Sequence, residues 1–151
     1  MAILTDGYQT LITFTSDEIS SAVTLTTIMQ EQEVTPPGVG GGGPNDTTTM
    51  RNETWRTRHP KNLRTLTPMT VIIKYDPALY DEMVAMVNDN QAITITFPDE
   101  STLLFWGWID SFTPNAHVEG DQPTATVVIE PSNMDADNDN EEIDPVYTAA
   151  A

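Results

Sequence analysis

The run Ile93-Thr94-Ile95-Thr96-Phe97-Pro98-Asp99-Glu100-Ser101-Thr102-Leu103-Leu104-Phe105-Trp106-Gly107-Trp108-Ile109 decides the fold class. Its first five residues alternate apolar and hydroxyl side chains. Successive strand side chains point to opposite faces of a sheet, so Ile93, Ile95 and Phe97 are expected on one buried face. Pro98 to Ser101 supply turn chemistry, which joins this strand to the next as a hairpin. Leu103 to Ile109 is apolar on both faces and therefore reads as a central strand, covered on each side by its own domain or by a neighbouring subunit. Gly107 inside it signals a bulge or a close backbone approach.

Elsewhere in the chain, short runs rich in Thr, Val and Ile, punctuated by Pro, Gly, Asn and Asp, predict strands near 9–15, 22–33, 69–75, 91–97, 102–112 and 123–130. In the last of these Ala125, Val127 and Ile129 point one way. One helix is signalled over about 77–88. Asp76 can cap it, Pro77 suits its first position, and Asp81 and Glu82 lie near the positive end of the dipole. Leu79, Met83, Met86 and Val87 give it one apolar face, and Asn88-Asp89-Asn90 ends it. The expected class is mainly β: a β-sandwich or barrel-like domain with one flanking α-helix and a long loop or arm.

The arm is the stretch 34–67, rich in Pro, Gly, Thr and Asn. Its apolar residues Val34, Val39, Met50, Trp55, Leu63 and Leu66 follow neither the strand nor the helix period. It reads as an irregular segment that acquires order from a partner. Residues 1–132 form the expected domain with this arm included, and 133–151, with six carboxylates and no Lys or Arg, form an acidic, flexible C-terminal tail.

The 151 residues suit one domain and one core. Cysteine is absent, which removes disulfides, thiolate zinc sites and cysteine nucleophiles and is compatible with a reducing cytoplasm. Met1 to Gln30 hold no Lys or Arg and do not read as a secretory signal, and no apolar run approaches the roughly 20 residues a membrane-spanning helix needs, so no membrane anchor is expected.

The formal charge is −17, and all six basic residues lie between Arg51 and Lys74, where Glu53 alone opposes them. That stretch is +5, and the remainder carries 22 uncompensated acidic groups. Such polarity permits the basic stretch of one copy to meet the acidic surface of another, although acidic charge also simply confers solubility.

Catalytic and metal-binding patterns are weak. Asp135-Ala136-Asp137-Asn138-Asp139 resembles the start of a calcium loop, but Asn140 replaces the required glycine and Val146 the required bidentate glutamate. The glycine run Gly38 and Gly40 to Gly43 lacks the Lys-Ser/Thr that a phosphate loop needs. His59 and His117 have no spaced companions and read as surface or interface residues. Carboxylates are too abundant for their number to argue for acid–base catalysis, so no enzyme, cofactor or metal is expected. Trp55 among Arg51, Arg56 and Arg58 is the one nucleic-acid-like cluster, opposed by the charge of the whole chain.

A family resemblance gathers these features. Thr35-Pro36-Pro37-Gly38 leading into Gly42-Gly43-Pro44-Asn45-Asp46-Thr47-Thr48-Thr49-Met50-Arg51-Asn52 resembles the arm of the major tail tube proteins of long, non-contractile bacteriophages. Tyr75-Asp76-Pro77 before a helix, a hairpin at Phe97-Pro98-Asp99, Gly107-Trp108-Ile109, and His117-Val118-Glu119-Gly120-Asp121 before a strand ending at Glu130-Pro131-Ser132 are similar to that family's second half. The likeness spans roughly residues 5–132, without the extra C-terminal immunoglobulin-like domain of some relatives.

The resemblance implies hexameric rings that stack helically into a hollow tail tube for genome ejection. It implies a place in the virion tail after assembly in the host cytoplasm. Its implied partners are further copies of itself, the tape-measure protein, a tail terminator, a tail-tip initiator and transiting double-stranded DNA without specific binding. Within it, Met50, Arg51, Trp55, Arg56, Arg58, Lys61 and Arg64 are the expected inter-subunit contacts. Three other readings fit the residues: a secretion-system-type tube subunit, an acidic DNA-mimic inhibitor, and a carbohydrate-binding sandwich using Trp55, Trp106 or Trp108.

Overall fold

A computed structural model of the protein describes residues 10–15, 31–77 and 79–150. They divide into two units: Pro37–Thr67, and the residues on either side of it. The flanking unit is called the body here, and Pro37–Thr67 the ribbon.

Among the described residues the body is mainly β, with one helix and a seven-stranded antiparallel sheet. Its strands are β1 (Leu11–Thr15), β2 (Glu31–Thr35), β7 (Met69–Lys74), β8 (Gln91–Thr96), β9 (Thr102–Pro114), β10 (Thr124–Pro131) and β13 (Val146–Thr148). The ribbon supplies β3 (Val39–Gly40), β4 (Pro44–Asp46), β5 (Arg58–Pro60) and β6 (Thr65–Leu66), and β11 (Met134–Asp135) and β12 (Glu141–Glu142) form a small hairpin. Along the sheet the order is β1-β8-β9-β10-β7-β2, with β13 also on β9.

Four expected strands correspond to β7, β8, β9 and β10. The first expected strand is β1 over its described part, and the second falls on described residues only from Glu31, where β2 begins; its residues 22–30 lie outside the described residues. The period-2 pattern decides which side chains are inside. Ile12 pairs with Ile95, Phe14 with Ile93 and Ile93 with Phe105, while Ile129 pairs with both Ile109 and Met69 and Val127 with Val71. All of these but Phe14 and Phe105 have no exposed surface, and those two almost none. Each such side chain contributes about 1.5–3 kcal/mol through removal from water. Phe97 falls just past β8 and is half-buried.

The expected hairpin joins β8 to β9. Glu100 N–H donates to Phe97 O at 2.9 Å, and Ser101 O accepts from Phe97 N–H at 2.9 Å. Glu100 takes the left-handed conformation (φ 69°) that closes a three-residue loop. Asp99 Oδ1 accepts from Ser101 N–H at 3.0 Å and from the Ser101 hydroxyl at 2.5 Å; these bonds hold its carboxyl below the usual carboxylate range.

Strand β9 is central, and its middle is covered on both faces, since Phe105 and Trp106 are consecutive and both buried. Gly107 is the close approach that the sequence signalled: a Cβ there would lie 2.5 Å from Glu130 O. Three residues later Asp110 is an extra residue against β10, because Val128 pairs with Ser111 and Ile129 with Ile109. The long strand thus serves β8 and β13 with its first half and β10 with its second.

The helix α1 runs Leu79–Met86, shorter than the expected 77–88. Its ladder stops because Asn88, left-handed at φ 66°, donates its N–H to Ile109 O at 3.0 Å. Met83 and Met86 are wholly buried, whereas Tyr80 and Val84 face solvent.

The segment read from sequence as an acidic, flexible tail carries secondary structure between Met134 and Thr148. Asp139 and Asn140, both left-handed, turn the β11–β12 hairpin, and β13 then lies beside β9 with Tyr147 opposite Leu103. The reason is an opening in the ladder. β10 reaches along β9 only to Gly107, so the backbone of Thr102 to Leu104 has β8 on one side and is available on the other.

Candidate functional site

The ribbon Pro37–Thr67 is a two-stranded structure closed by a turn, and it replaces the irregular arm expected over 34–67. Val34 and Thr35 belong instead to β2 in the body. At its base Gly38 and Thr67 exchange bonds, Thr67 N–H to Gly38 O at 2.8 Å and Gly38 N–H to Thr67 Oγ1 at 2.7 Å. The ladder continues through Val39–Leu66 and Gly40–Thr65, opens, and resumes through Pro44–Pro60 to Asp46–Arg58. Gly42 and Gly43 carry the opening, at φ 80° and 83°.

Beyond Asp46 the tip is tied by hydroxyl and amide side chains. Thr47 N–H donates to Thr57 O at 3.0 Å, Thr57 N–H to Thr48 Oγ1 at 3.0 Å, and Asn52 Nδ2 to Trp55 O at 2.8 Å. Asp46 accepts from Thr48 N–H at 2.9 Å and pairs with Arg56 at 3.5 Å. Bonds from the Thr48 hydroxyl and N–H, helped by the charge of Arg58, hold its carboxyl below the usual carboxylate range.

This structure carries every residue expected to make inter-subunit contacts. Arg51, Arg56, Arg58, Lys61 and Arg64 are all exposed, as are Met50 and Trp55, the latter at 81% of its surface. Five cations against Asp46 and Glu53 give the ribbon a net charge of +3. Among the described residues, Arg51, Arg58, Lys61 and Arg64 have no ion-pair partner within 4 Å. Val39 (68%) and Leu63 (80%), which follow no period in the sequence, add exposed apolar surface.

The arrangement offers cations, apolar side chains and a ribbon that is mostly exposed, although Leu66 in β6 is buried. Among the described residues no group of three His, Asp or Glu side chains converges to hold a metal. Trp106 is buried within β9 and so unavailable as a sugar platform. His117 rests on the ring of Tyr75, with centroids 5.5 Å apart.

Comparison with solved structures places the chain in a shared fold. A chain in the cryo-EM structure of the anti-feeding prophage (AFP) baseplate, 6-fold symmetrised, superposes with a TM-score of 0.69 over 99% of both chains at 8% identity. A chain in the tail of an empty GTA particle, computed with helical refinement in C6 symmetry, gives 0.63 at 13% identity over 97% of this chain and 100% of that one. A chain in the virion of the native gene transfer agent (GTA) particle gives 0.62 at 13% identity, with the same coverage. The likeness is one of fold, at 8–13% identity. No protein-family model and no curated protein matches the chain.

Proposed function

We propose that the protein is a structural subunit of a phage-type tail tube, polymerising as stacked hexameric rings into a hollow conduit for the genome. The exposed ribbon carries this reading, because a surface with four cations that have no ion-pair partner within 4 Å among the described residues, and with Met50, Trp55, Val39 and Leu63 exposed, is suited to burial against another subunit. The likeness to chains from six-fold particles, over nearly the whole length of each, supports the same reading.

In this account the body forms the ring wall and the ribbon crosses to the adjacent ring. Six copies carry −102, so stacking requires cation–carboxylate pairing and apolar burial between rings to offset self-repulsion. An acidic lumen repels DNA phosphates within a screening length of about 8 Å at physiological salt, so DNA passes without sticking. The tape-measure protein, a terminator and a tip initiator are the proposed assembly partners. The proposed setting is the virion tail, reached from the host cytoplasm, and no step calls for catalysis.

The test is negative-stain microscopy of concentrated protein beside Arg56→Glu with Arg58→Glu. Wild-type protein is expected to form hollow filaments of uniform width, and the variant to melt normally yet form none. Normal tubes from the variant would refute the role of the ribbon, and a wild-type protein that stays monomeric and binds a nucleic-acid enzyme would support the DNA-mimic reading.

A further inference from the structure

We infer that the cationic ribbon seats the acidic β11–β12 turn of a second copy of this chain. The inference rests on the ribbon reading above and names what the ribbon touches.

The seat is built by a change of register. Between the two ladders, four residues, 61–64, face three, 41–43, so the strands part. A concavity of about 480 Å³ opens there, lined among others by Gly42, Asn45, His59, Lys61, Asn62 and Leu63. Its polar lining is rich in donors: the Lys61 ammonium and the Asn45 and Asn62 amides. The His59 ring spends its Nδ1–H on Pro60 O at 2.8 Å, which holds the ring in place. Arg58 and Arg64 flank these residues in sequence, and no carboxylate lines the concavity. Such a surface selects an anionic oxygen ligand with a small apolar contact at Leu63.

The β11–β12 turn has the complementary chemistry. Asp135, Asp137, Asp139, Glu141 and Glu142 lie within eight residues with no Lys or Arg between them. The turn is shaped by its own bonds: Asp137 N–H to Asp135 Oδ1 at 3.0 Å, Asn138 Nδ2 to Glu141 Oε2 at 3.2 Å, and Asn140 N–H to Asp135 O at 2.9 Å. Asp137 and Asp139 are left exposed at its crest, and among the described residues neither has an ion-pair partner. A preformed turn loses little conformational freedom on docking, which favours it over a disordered acidic segment.

A charge-swap experiment on the full chain tests this. Asp137→Lys with Asp139→Lys reverses the turn, Arg58→Glu with Lys61→Glu reverses the ribbon, and a third protein carries all four changes. Assembly is read by pelleting and microscopy, and folding by circular dichroism. Each reversal alone is expected to cut the assembled fraction about tenfold, and the four-fold variant to recover most of it, as coupled charges do in a double-mutant cycle.

If the ribbon reversal blocks assembly while the turn reversal assembles normally, or if the combination is no better than the ribbon reversal, this contact is overturned and the ribbon reading stands. DNA binding lost only with the ribbon reversal would likewise overturn it in favour of a phosphate ligand. If wild type never assembles, or the ribbon reversal assembles normally, the ribbon reading falls and takes the contact with it. Should the lysine turn unfold, Asp137→Asn with Asp139→Asn reads the same contact through a weakened salt dependence of assembly; an unchanged salt dependence overturns it.

Discussion

Glu31 lies on one end strand of the sheet and Ile12 on the other, yet the Glu31 Oε1 accepts the Ile12 N–H at 3.2 Å. The two ends of the path β1-β8-β9-β10-β7-β2 therefore lie within one side chain of each other, and a partly buried carboxylate spans them. A charged side chain turned into a sheet edge also obstructs pairing of that edge with another chain. Side-by-side pairing of copies through β1 would require Glu31 to release Ile12.

Burial pushes the Glu31 carboxyl above its ordinary value of 4.5, with hydrogen bonds from its own and the Ile12 N–H opposing the shift. The folded state thus holds this proton more tightly than the unfolded state. The resulting stabilisation is full below pH 4.5 and is lost as pH rises through the folded-state value. Glu31→Gln keeps an acceptor for Ile12 without the charge. Its melting temperature relative to wild type is expected to climb as pH rises from 4 and to level off near neutrality. A difference independent of pH would contradict the buried bridge.

Gly107→Ala places a methyl group 2.5 Å from Glu130 O, a backbone atom held in the β9–β10 ladder. The strands must part to admit it, at a cost of about 3 kcal/mol. Urea denaturation measures this. A loss below about 1 kcal/mol would show that the ladder yields at this point.

Gln91 is 1% exposed, and among the described residues neither the oxygen nor the nitrogen of its amide has a hydrogen-bond partner. It occupies the same phase of β8 as Ile93 and Ile95. Gln91→Met keeps the length and removes both polar atoms, so stability is expected to rise by about 1 kcal/mol in the same denaturation assay. A fall of that size would mean the amide is satisfied and structural.

These residues also show where the sequence was legible. Ile93, Ile95, Val127 and Ile129 announced their strands because one face of each is buried and the alternation follows. Gln91 was missed, since a polar residue in an apolar phase leaves no signal. The ribbon was legible as a separate, cationic segment but not as a pair of ladders, because Asp46, Thr47, Thr57 and Asn52 hold it by polar bonds and most of its side chains, Leu66 excepted, are exposed. No alternation is required there. Strand β13 was equally hidden, being three residues added to an edge that only the limited reach of β10 leaves open.

In the proposed tube the body makes the wall while the ribbon joins one copy to the next. Hydrogen exchange of the ribbon amides, compared between dilute monomer and assembled protein, tests it most directly. In the monomer, Met50 to Arg56 should exchange rapidly, because the short ladders of the ribbon are bathed in water. On assembly their exchange should slow by a factor of at least about a hundred, while the β8 and β9 amides stay protected throughout. Equal protection of Met50 to Arg56 in both states would contradict a ribbon that joins one copy to the next.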